Sequence, residues 1–407
     1  MVKINFNELE PYKNIFEKDS NGRIINVYNI KNSLLVGESL IYPNPLLYSI
    51  EKDITYNPII EKTMSLEKAN TKNDIKFIDS NFTHKEDNPL FFFIYNTDNY
   101  YHFIYDTLPY LISFLELKKE INNLKLLMTY PNQGKKDFYK FVVEFLELIG
   151  ISLDDIIIAK NNTLYKDIFI SNSYTHDFDS NAPPRKEIYN FFKEISNKVN
   201  KTNKNFPKKI YISRRSWIHN DFSNIGTNYT TRRRLENEDE LVSFLINQGY
   251  EEVFTETLST IEKIELFSNA EEIVGTIGGG ICNVLFSKEN TKLYVINSPY
   301  FLDINQRFKY SFMNVDYQIF MDSEHTENSE FKLFMRVKTN DGIIGEIVKI
   351  EDDNITIIYQ DSTTSGWNDN VDYKKITINS NLCKKLDNGL NSPWRFNLTK
   401  FKITLND

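Results

Sequence analysis

Three groups of residues in this chain have types and spacings suited to chemistry. His102 and Asp106 stand four positions apart, which puts both on one face of a helix. A carboxylate beside an imidazole can orient the ring or take a proton from an attacking hydroxyl. Tyr100, Tyr101, Phe103 and Tyr105 surround the pair, and such an aromatic, partly buried setting shifts pKa values and suits stacking on a sugar ring. A hydrogen-bonded pair that only supports packing has the same spacing, and the chemistry alone leaves the two readings level. Arg214 and Arg215 directly follow the strand-like run Lys209–Ser213. Adjacent arginines at a strand end can clamp a diphosphate with bidentate bonds. A solvated loop with surface ion pairs is the commoner fate of such a pair. The third group is the turn Gly278-Gly279-Gly280, which follows the apolar run Glu272–Thr276 and precedes Ile281-Cys282-Asn283. Glycines between a strand and a helix let backbone N–H groups approach an anion, and the helix start adds partial positive charge. The turn is neither the spaced dinucleotide fingerprint nor a P-loop, because no Lys-Ser/Thr follows it. Taken alone it is a tightly packed strand–helix turn.

Weaker signals lie nearby. Arg232, Arg233 and Arg234 precede a predicted helix, and a charge run is usually a solvated face. Glu256 follows a short strand, where it could accept a hydrogen bond from a ribose or simply be a polar loop residue. Asp177-Phe178-Asp179 is an isolated acidic triplet of the kind that binds a metal–diphosphate. Such triplets are common by chance, and this one lies outside the glycine-turn half. Cys282 has no His or Cys at metal-ligand spacing.

The elements that position these groups can be traced along the chain. Leu90–Tyr95 reads as a strand and Tyr100–Lys119 as a helix that Pro109 kinks or breaks. Lys125–Thr129 is a strand, and Asp137–Ile149 a helix that ends at Gly150. Asn200–Pro207 is polar and Pro-terminated, the best candidate linker. Beyond it, Lys209–Ser213, Glu252–Phe254, Glu272–Thr276 and Lys292–Asn297 are strands. They alternate with helices at Asn237–Gln248 and at Ser259–Ser268, the second opened by a capping box of Ser259 and Glu262. Such alternation implies a parallel, doubly wound sheet, whose ligands sit at the carboxyl ends of strands. The glycine turn and Arg214 both lie at such ends. From about Phe331, short strands separated by Asn-Asp-Gly and Asp-Asp-Asn turns suggest a small antiparallel barrel or sandwich.

A length of 407 residues exceeds one ordinary core, so two or three domains are expected. We divide the chain into an N-terminal β-rich segment packing on the first half (1–88), a first Rossmann-like half (89–204), a second Rossmann-like half that carries the glycine turn (205–330) and a small antiparallel β domain (331–407). The net charge of −8 argues against general nucleic-acid binding. Two cysteines, Cys282 and Cys383, suggest no disulfide framework and a reducing, cytoplasmic setting. The first residues lack a signal-peptide core. The most apolar stretch, Leu90–Leu117, is interrupted by Asp98, His102, Asp106 and Pro109, so no membrane span is expected.

Several of these segments occur together in one known family. The order Asn99–Pro109, Tyr211–Arg215, Arg234–Glu238, Leu258-Ser259, Phe267–Ala270 and then the glycine turn with Asn283 and Phe286 resembles glycosyltransferase family 61. That family includes capsular polysaccharide enzymes and eukaryotic xylosyl-, arabinosyl- and N-acetylglucosaminyltransferases. The resemblance covers roughly residues 90–300. It implies a GT-B-like α/β fold, two Rossmann-like halves facing a cleft, with 89–204 as the acceptor-side half and 205–330 as the nucleotide-sugar-binding half. It also implies an inverting, metal-independent transfer, without cofactor, from a nucleotide sugar, often a UDP-sugar, to a glycan or polysaccharide acceptor. Carried over, Arg214 and Arg215 fall on the donor-phosphate arginines, Arg234 on the next arginine, and Asn283 on the Asn after the turn. His102 and Asp106 match the His and Asp of the acceptor half. With Asp106 as the base, His102 orients it or takes that role itself. Glu256, Gly278, Gly279 and Gly280 complete the expected donor site. One departure stands out: Ile277-Gly278-Gly279-Gly280 replaces the family's His-Gly-Ala-Gly. That implies a changed donor geometry, a slower enzyme, or binding without turnover. An epimerase-like enzyme is disfavoured by the lack of a spaced glycine fingerprint and of a Tyr-x-x-x-Lys near a Rossmann start.

Overall fold

The structure, a computed structural model, describes residues 9–36, 46–52, 54–56, 82–95, 97, 99–130, 137–160, 162–175, 183–199, 202, 204–215, 234–298, 309–325, 331, 336–359, 374–385 and 393–406. It is a mixed α/β protein with several sheets, and its contacts divide it into two compact units, Met1–Val199 and Asn200–Asp407.

The first unit is built on one sheet of strands β1 (Lys13–Phe16), β2 (Ile25–Val36), β3 (Leu46–Ser49), β4 (Ile54–Tyr56), β5 (His84–Phe92), β6 (Lys125–Met128), β7 (Ile156–Ile158) and β8 (Thr163–Ser171). Its order is β4-β3-β2-β8-β5-β6-β7, with β1 on β2. The segment β8-β5-β6-β7 is parallel. The N-terminal strands continue the sheet edge to edge, through antiparallel pairing of β2 with β8. Phe91, Phe92, Leu126 and Leu127 are fully buried, and each such side chain contributes about 1.5–3 kcal/mol of transfer free energy.

Where the sequence predicts one kinked helix over Tyr100–Lys119, the chain forms three pieces. A short α-turn (Tyr100–His102) runs into a π-turn (Phe103–Thr107), and helix α1 follows over Tyr110–Lys118. Pro109 has no N–H to donate to the preceding turn. The widened turn is closed instead by Leu108 N–H to the Phe103 carbonyl at 2.7 Å. Helix α2 (Lys140–Ile149) buries Val142, Phe145, Leu146 and Ile149, and Gly150 ends it at a left-handed φ of 86°, a conformation that costs glycine nothing. Helix α3 (Glu187–Lys198) buries Ile188, Phe191, Phe192 and Ile195 at helical spacing.

The second unit has a five-stranded, wholly parallel sheet of β9 (Lys209–Ile212), β10 (Glu251–Val253), β11 (Glu272–Thr276), β12 (Lys292–Ile296) and β13 (Asp316–Phe320). The order is β10-β9-β11-β12-β13. Helix α4 (Glu238–Asn247) connects β9 to β10, and α5 (Thr260–Asn269) connects β10 to β11. Glu238, Asp239 and Glu240 fill the first turn of α4, where the helix dipole favours negative charge. The expected capping box opens α5: Ser259 accepts from the Glu262 N–H, and Glu262 accepts from the Ser259 N–H.

Beyond β14 (Ser323–His325) lie β15 (Arg336–Thr339), β16 (Ile344–Glu351), β17 (Asn354–Tyr359), β18 (Lys374–Asn379) and β19 (Cys383–Lys385), a separate antiparallel sheet ordered β18-β17-β16-β15-β19. Its core is Val337, Ile347, Ile355, Ile357 and Cys383. The chain then returns. Strand β20 (Trp394–Phe396) pairs with β14, and helix α6 (Leu398–Asn406) follows. Trp394, Phe396, Leu398 and Phe401 join Leu241, Leu245, Val274, Ile296 and Phe320 in one apolar cluster. Trp394 is therefore a core residue of the parallel-sheet unit, while Trp367 lies outside the described residues.

Candidate active site

In the second unit, the carboxyl ends of β9, β10 and β11 lie side by side because the three strands are parallel and adjacent. Arg214 comes from β9, Thr255 and Glu256 from the loop after β10, and the glycine turn from β11. The turn and Arg214 meet directly. A Cβ at position 278 would overlap the Nη1 of Arg214, so the guanidinium occupies the space that glycine leaves empty. The Gly278 backbone is extended, with φ 164°, so the requirement here is room and not conformation. Gly280 answers a different constraint, since a Cβ there would stand 2.8 Å from Thr255 Oγ1 and 3.1 Å from Ile212 Cγ2. Gly279 faces nothing within 4 Å and is the open position of the three.

The segment after the turn, Gly279–Phe286, is a 3-10 helix, tighter than the α-helical start expected. It is pinned by its own side chains. Asn283 is fully buried and donates to the Gly280 carbonyl at 2.8 Å, and the Cys282 thiol lies 2.8 Å from the Gly279 carbonyl. Asn283 thus shapes the turn from inside. Burial pushes the Cys282 thiol up, which makes it inert as a nucleophile. Ile277 is buried, with its N–H on the Ile296 carbonyl at 3.0 Å.

Arg214 and Arg215, expected to act as one clamp, have separate environments. Arg215 binds Glu252 bidentately at 2.6 and 2.7 Å and Asp239 at 2.6 Å. These carboxylates, Glu252 first, raise its pKa and neutralise its charge, so it holds α4 to β10 in place of pairing with Arg214 at the turn. Burial lowers the Arg214 pKa, opposed by the charges of Glu238 and Glu256. Glu256 sits exposed in a short 3-10 turn, Thr255–Thr257, near enough to act on Arg214. Arg234 is partly buried and lies among Glu236, Asp239 and Glu238; burial is the main cause that lowers its pKa. Arg232, Arg233 and the Asp177–Asp179 triplet lie outside the described residues.

Two carboxylates escaped the sequence reading of the site. Glu238 is buried, and its Oε1 accepts from Tyr211 Oη at 2.8 Å, Ser213 Oγ at 3.2 Å and the Arg214 N–H at 2.8 Å. Burial nevertheless raises its pKa. Glu252 is the bidentate partner of Arg215. The segment Arg234–Glu238 was the one signal that pointed toward Glu238.

In the first unit, His102 and Asp106 do pair: Nδ1 lies 2.6 Å from Oδ2. The Asn99 side chain caps this segment by accepting the His102 N–H at 3.2 Å. Thr175 Oγ1 lies 3.5 Å from the other Asp106 oxygen. Tyr101 stacks on Tyr105 and sets its edge against the His102 ring. The Asp106 side chain is 10% exposed and that of His102 40%. In the neutral ring, an Nδ1–H directed at the carboxylate leaves the lone pair on Nε2. Of the two expected arrangements, this geometry suits the one in which the buried Asp106 orients the ring and the more accessible His102 takes the proton. Among the described residues, no cluster of three or more His, Cys, Asp or Glu gathers as for a metal ion, and no helix is long and apolar enough to cross a membrane.

Residues 100–294 match the family model for Glycosyltransferase 61, a span that begins just before the His102–Asp106 pair and takes in the glycine turn and Asn283. No curated protein matches the chain. The match supports membership of glycosyltransferase family 61 and, with it, glycosyltransferase activity, which implies a sugar donor and a glycan acceptor.

Proposed function

We propose that this protein is an inverting glycosyltransferase that moves a sugar from a nucleotide-sugar donor, a UDP-sugar, to a hydroxyl of a glycan or polysaccharide acceptor without a metal ion. The observation that carries this reading is the packing of Arg214 against Gly278 at the carboxyl ends of a parallel sheet. There a cation and a glycine backbone meet where doubly wound sheets bind ligands. In the proposed reaction, His102 Nε2 takes the proton of the acceptor hydroxyl while Asp106 holds the ring. The acceptor oxygen bonds to the anomeric carbon as the bond from that carbon to the diphosphate oxygen breaks. The nucleoside diphosphate leaves with the bonding pair, and Arg214 with the turn's N–H groups stabilises the charge that develops on it. The GT-B arrangement implied by the resemblance and a cytoplasmic setting belong to the same proposal.

The test is transfer and slow donor hydrolysis over a panel of UDP-sugars, comparing wild type with Arg214→Ala and Arg215→Ala. The reading requires the larger loss at Arg214, and equal rates in wild type and Arg214→Ala would sink its phosphate role. The buried Ile277, which puts no imidazole at the turn, favours one second reading: a nucleotide-sugar- or glycan-binding protein without turnover. Thermal stabilisation by UDP, with neither transfer nor hydrolysis over the panel, would select it.

A further inference from the structure

We infer that Glu238 is the positioning residue of the donor-phosphate site, acting through Arg214, and this inference rests on the function proposed above. Three hydrogen bonds converge on one atom of Glu238, Oε1, from Tyr211, Ser213 and the Arg214 backbone. Tyr211 is on β9, Ser213 and Arg214 immediately follow it, and Glu238 opens α4. The carboxylate therefore ties the start of a helix to the residue that leaves the sheet toward the glycine turn. The Arg214 backbone is held from one side by Glu238, while its guanidinium fills the space above Gly278 on the other.

Charge gives Glu238 a second role. An arginine taken out of water is costly unless a counter-charge accompanies it. The negative charge of Glu238 acts on Arg214 against the effect of burial. Exposed Glu256 also acts on Arg214, but Glu238 is itself buried, where charges are poorly screened. A diphosphate arriving at the turn thus meets a charged, partly buried guanidinium whose backbone is already held, and little ordering remains to be done on binding.

Glu238→Gln separates the charge from the hydrogen bonds. The Gln carbonyl oxygen can accept the same three bonds, so the fold is kept while the counter-charge is lost. Binding of UDP to the full-length protein by titration calorimetry, beside thermal melting of the free protein, reads the two effects apart. The expected result is a melting temperature close to wild type with UDP affinity reduced about tenfold, because the Arg214 N–H then bonds a neutral carbonyl in place of a carboxylate and is held less firmly. Arg214→Ala should weaken UDP at least as much, and Glu238→Gln in the Arg214→Ala background should then cost nothing further. Unchanged or tighter UDP binding by Glu238→Gln, while Arg214→Ala loses affinity, overturns the positioning role and leaves the proposed function standing. If Glu238→Gln instead melts much lower in step with its lost affinity, Glu238→Asp supplies the decision. Restored melting without restored affinity supports positioning, whereas recovery of both together assigns Glu238 to folding alone. Failure of the wild type to bind UDP removes the donor reading itself, and this inference with it.

Discussion

The two candidate regions use the same device differently. In the first unit, buried Asp106 holds a more accessible His102; in the second, buried Glu238 holds Arg214. Asp106 grips the ring atom opposite the one that would react, through a 2.6 Å contact to Nδ1. Glu238 grips the backbone of Arg214 and leaves the guanidinium to the glycine turn. The first carboxylate therefore orients the ring of its partner, and the second sets where its partner sits. In the proposed reaction a proton acceptor must present the correct nitrogen, whereas an anion-binding cation must be in the correct place, and each carboxylate would supply what its region needs.

The comparison is most exposed to attack at the imidazole. His102→Ala should lower the transfer rate by about 10²–10⁴-fold, the range of positioned general bases, with little change in melting temperature because the side chain is 40% exposed. Asp106→Asn should approach that loss, because a carboxamide can present its NH₂ to Nδ1 and turn the ring's proton to Nε2. Single-turnover rates with saturating donor would check both. If Asp106→Asn loses donor affinity but keeps the rate, the two carboxylates act alike and the contrast fails.

A smaller effect is expected within the glycine turn, where the contrast can be sharpened at neighbouring positions. Gly278→Ala displaces the end of a flexible arginine side chain. It should weaken UDP about tenfold, the scale of one charged hydrogen bond, and leave melting nearly unchanged. Gly280→Ala meets Thr255 and Ile212 and should cost about 1–3 kcal/mol of stability by overpacking. Gly279→Ala has open space and should fold as wild type; any loss of UDP affinity there marks the face along which the ligand approaches. Calorimetry and melting on the three variants would distinguish these roles, and uniform behaviour would show that position within the turn does not matter.

How much of this was legible in the sequence depended on how local each signal was. The strands of the parallel sheet were visible as apolar runs between turn residues, and the capping box of Ser259 and Glu262 was visible because its partners are three residues apart. The i,i+4 spacing of His102 and Asp106 likewise carried their contact. The π-turn around them was not visible, because it depends on how the backbone re-forms hydrogen bonds ahead of Pro109. The separation of Arg214 from Arg215 was hidden for a different reason. Their partners lie far along the chain, Glu238 24 residues from Arg214 and Glu252 37 residues from Arg215, and only the pairing of β9 with β10 and the docking of α4 bring them close. The return of Trp394 to the parallel-sheet core was equally non-local, since the three-residue strand β20 is too short for any period to show which face is buried.

Glu262 supplies the control for both regions, a carboxylate whose role is structural. Its hydrogen bonds to Lys204 and to the Ser259 backbone hold its carboxyl down to about 2, from the ordinary 4.5. A depressed carboxyl contributes stability that is present above its unfolded pKa and is lost as pH falls through the folded one. Glu262→Gln should therefore cost about 1 kcal/mol near neutral pH, the usual worth of a cap. That deficit should shrink as pH falls from about 4.5 toward 2, because the wild-type carboxyl is then protonated as well. Denaturant melts of the two proteins across that range give the difference directly. UDP affinity at neutral pH should be equal in both, since Glu262 lies at the opening of α5, where it bonds Ser259 and Lys204. An affinity loss in Glu262→Gln as large as that in Glu238→Gln would mean that any weakened carboxylate in this unit disturbs the donor site, and the distinction between positioning and stabilising carboxylates would collapse.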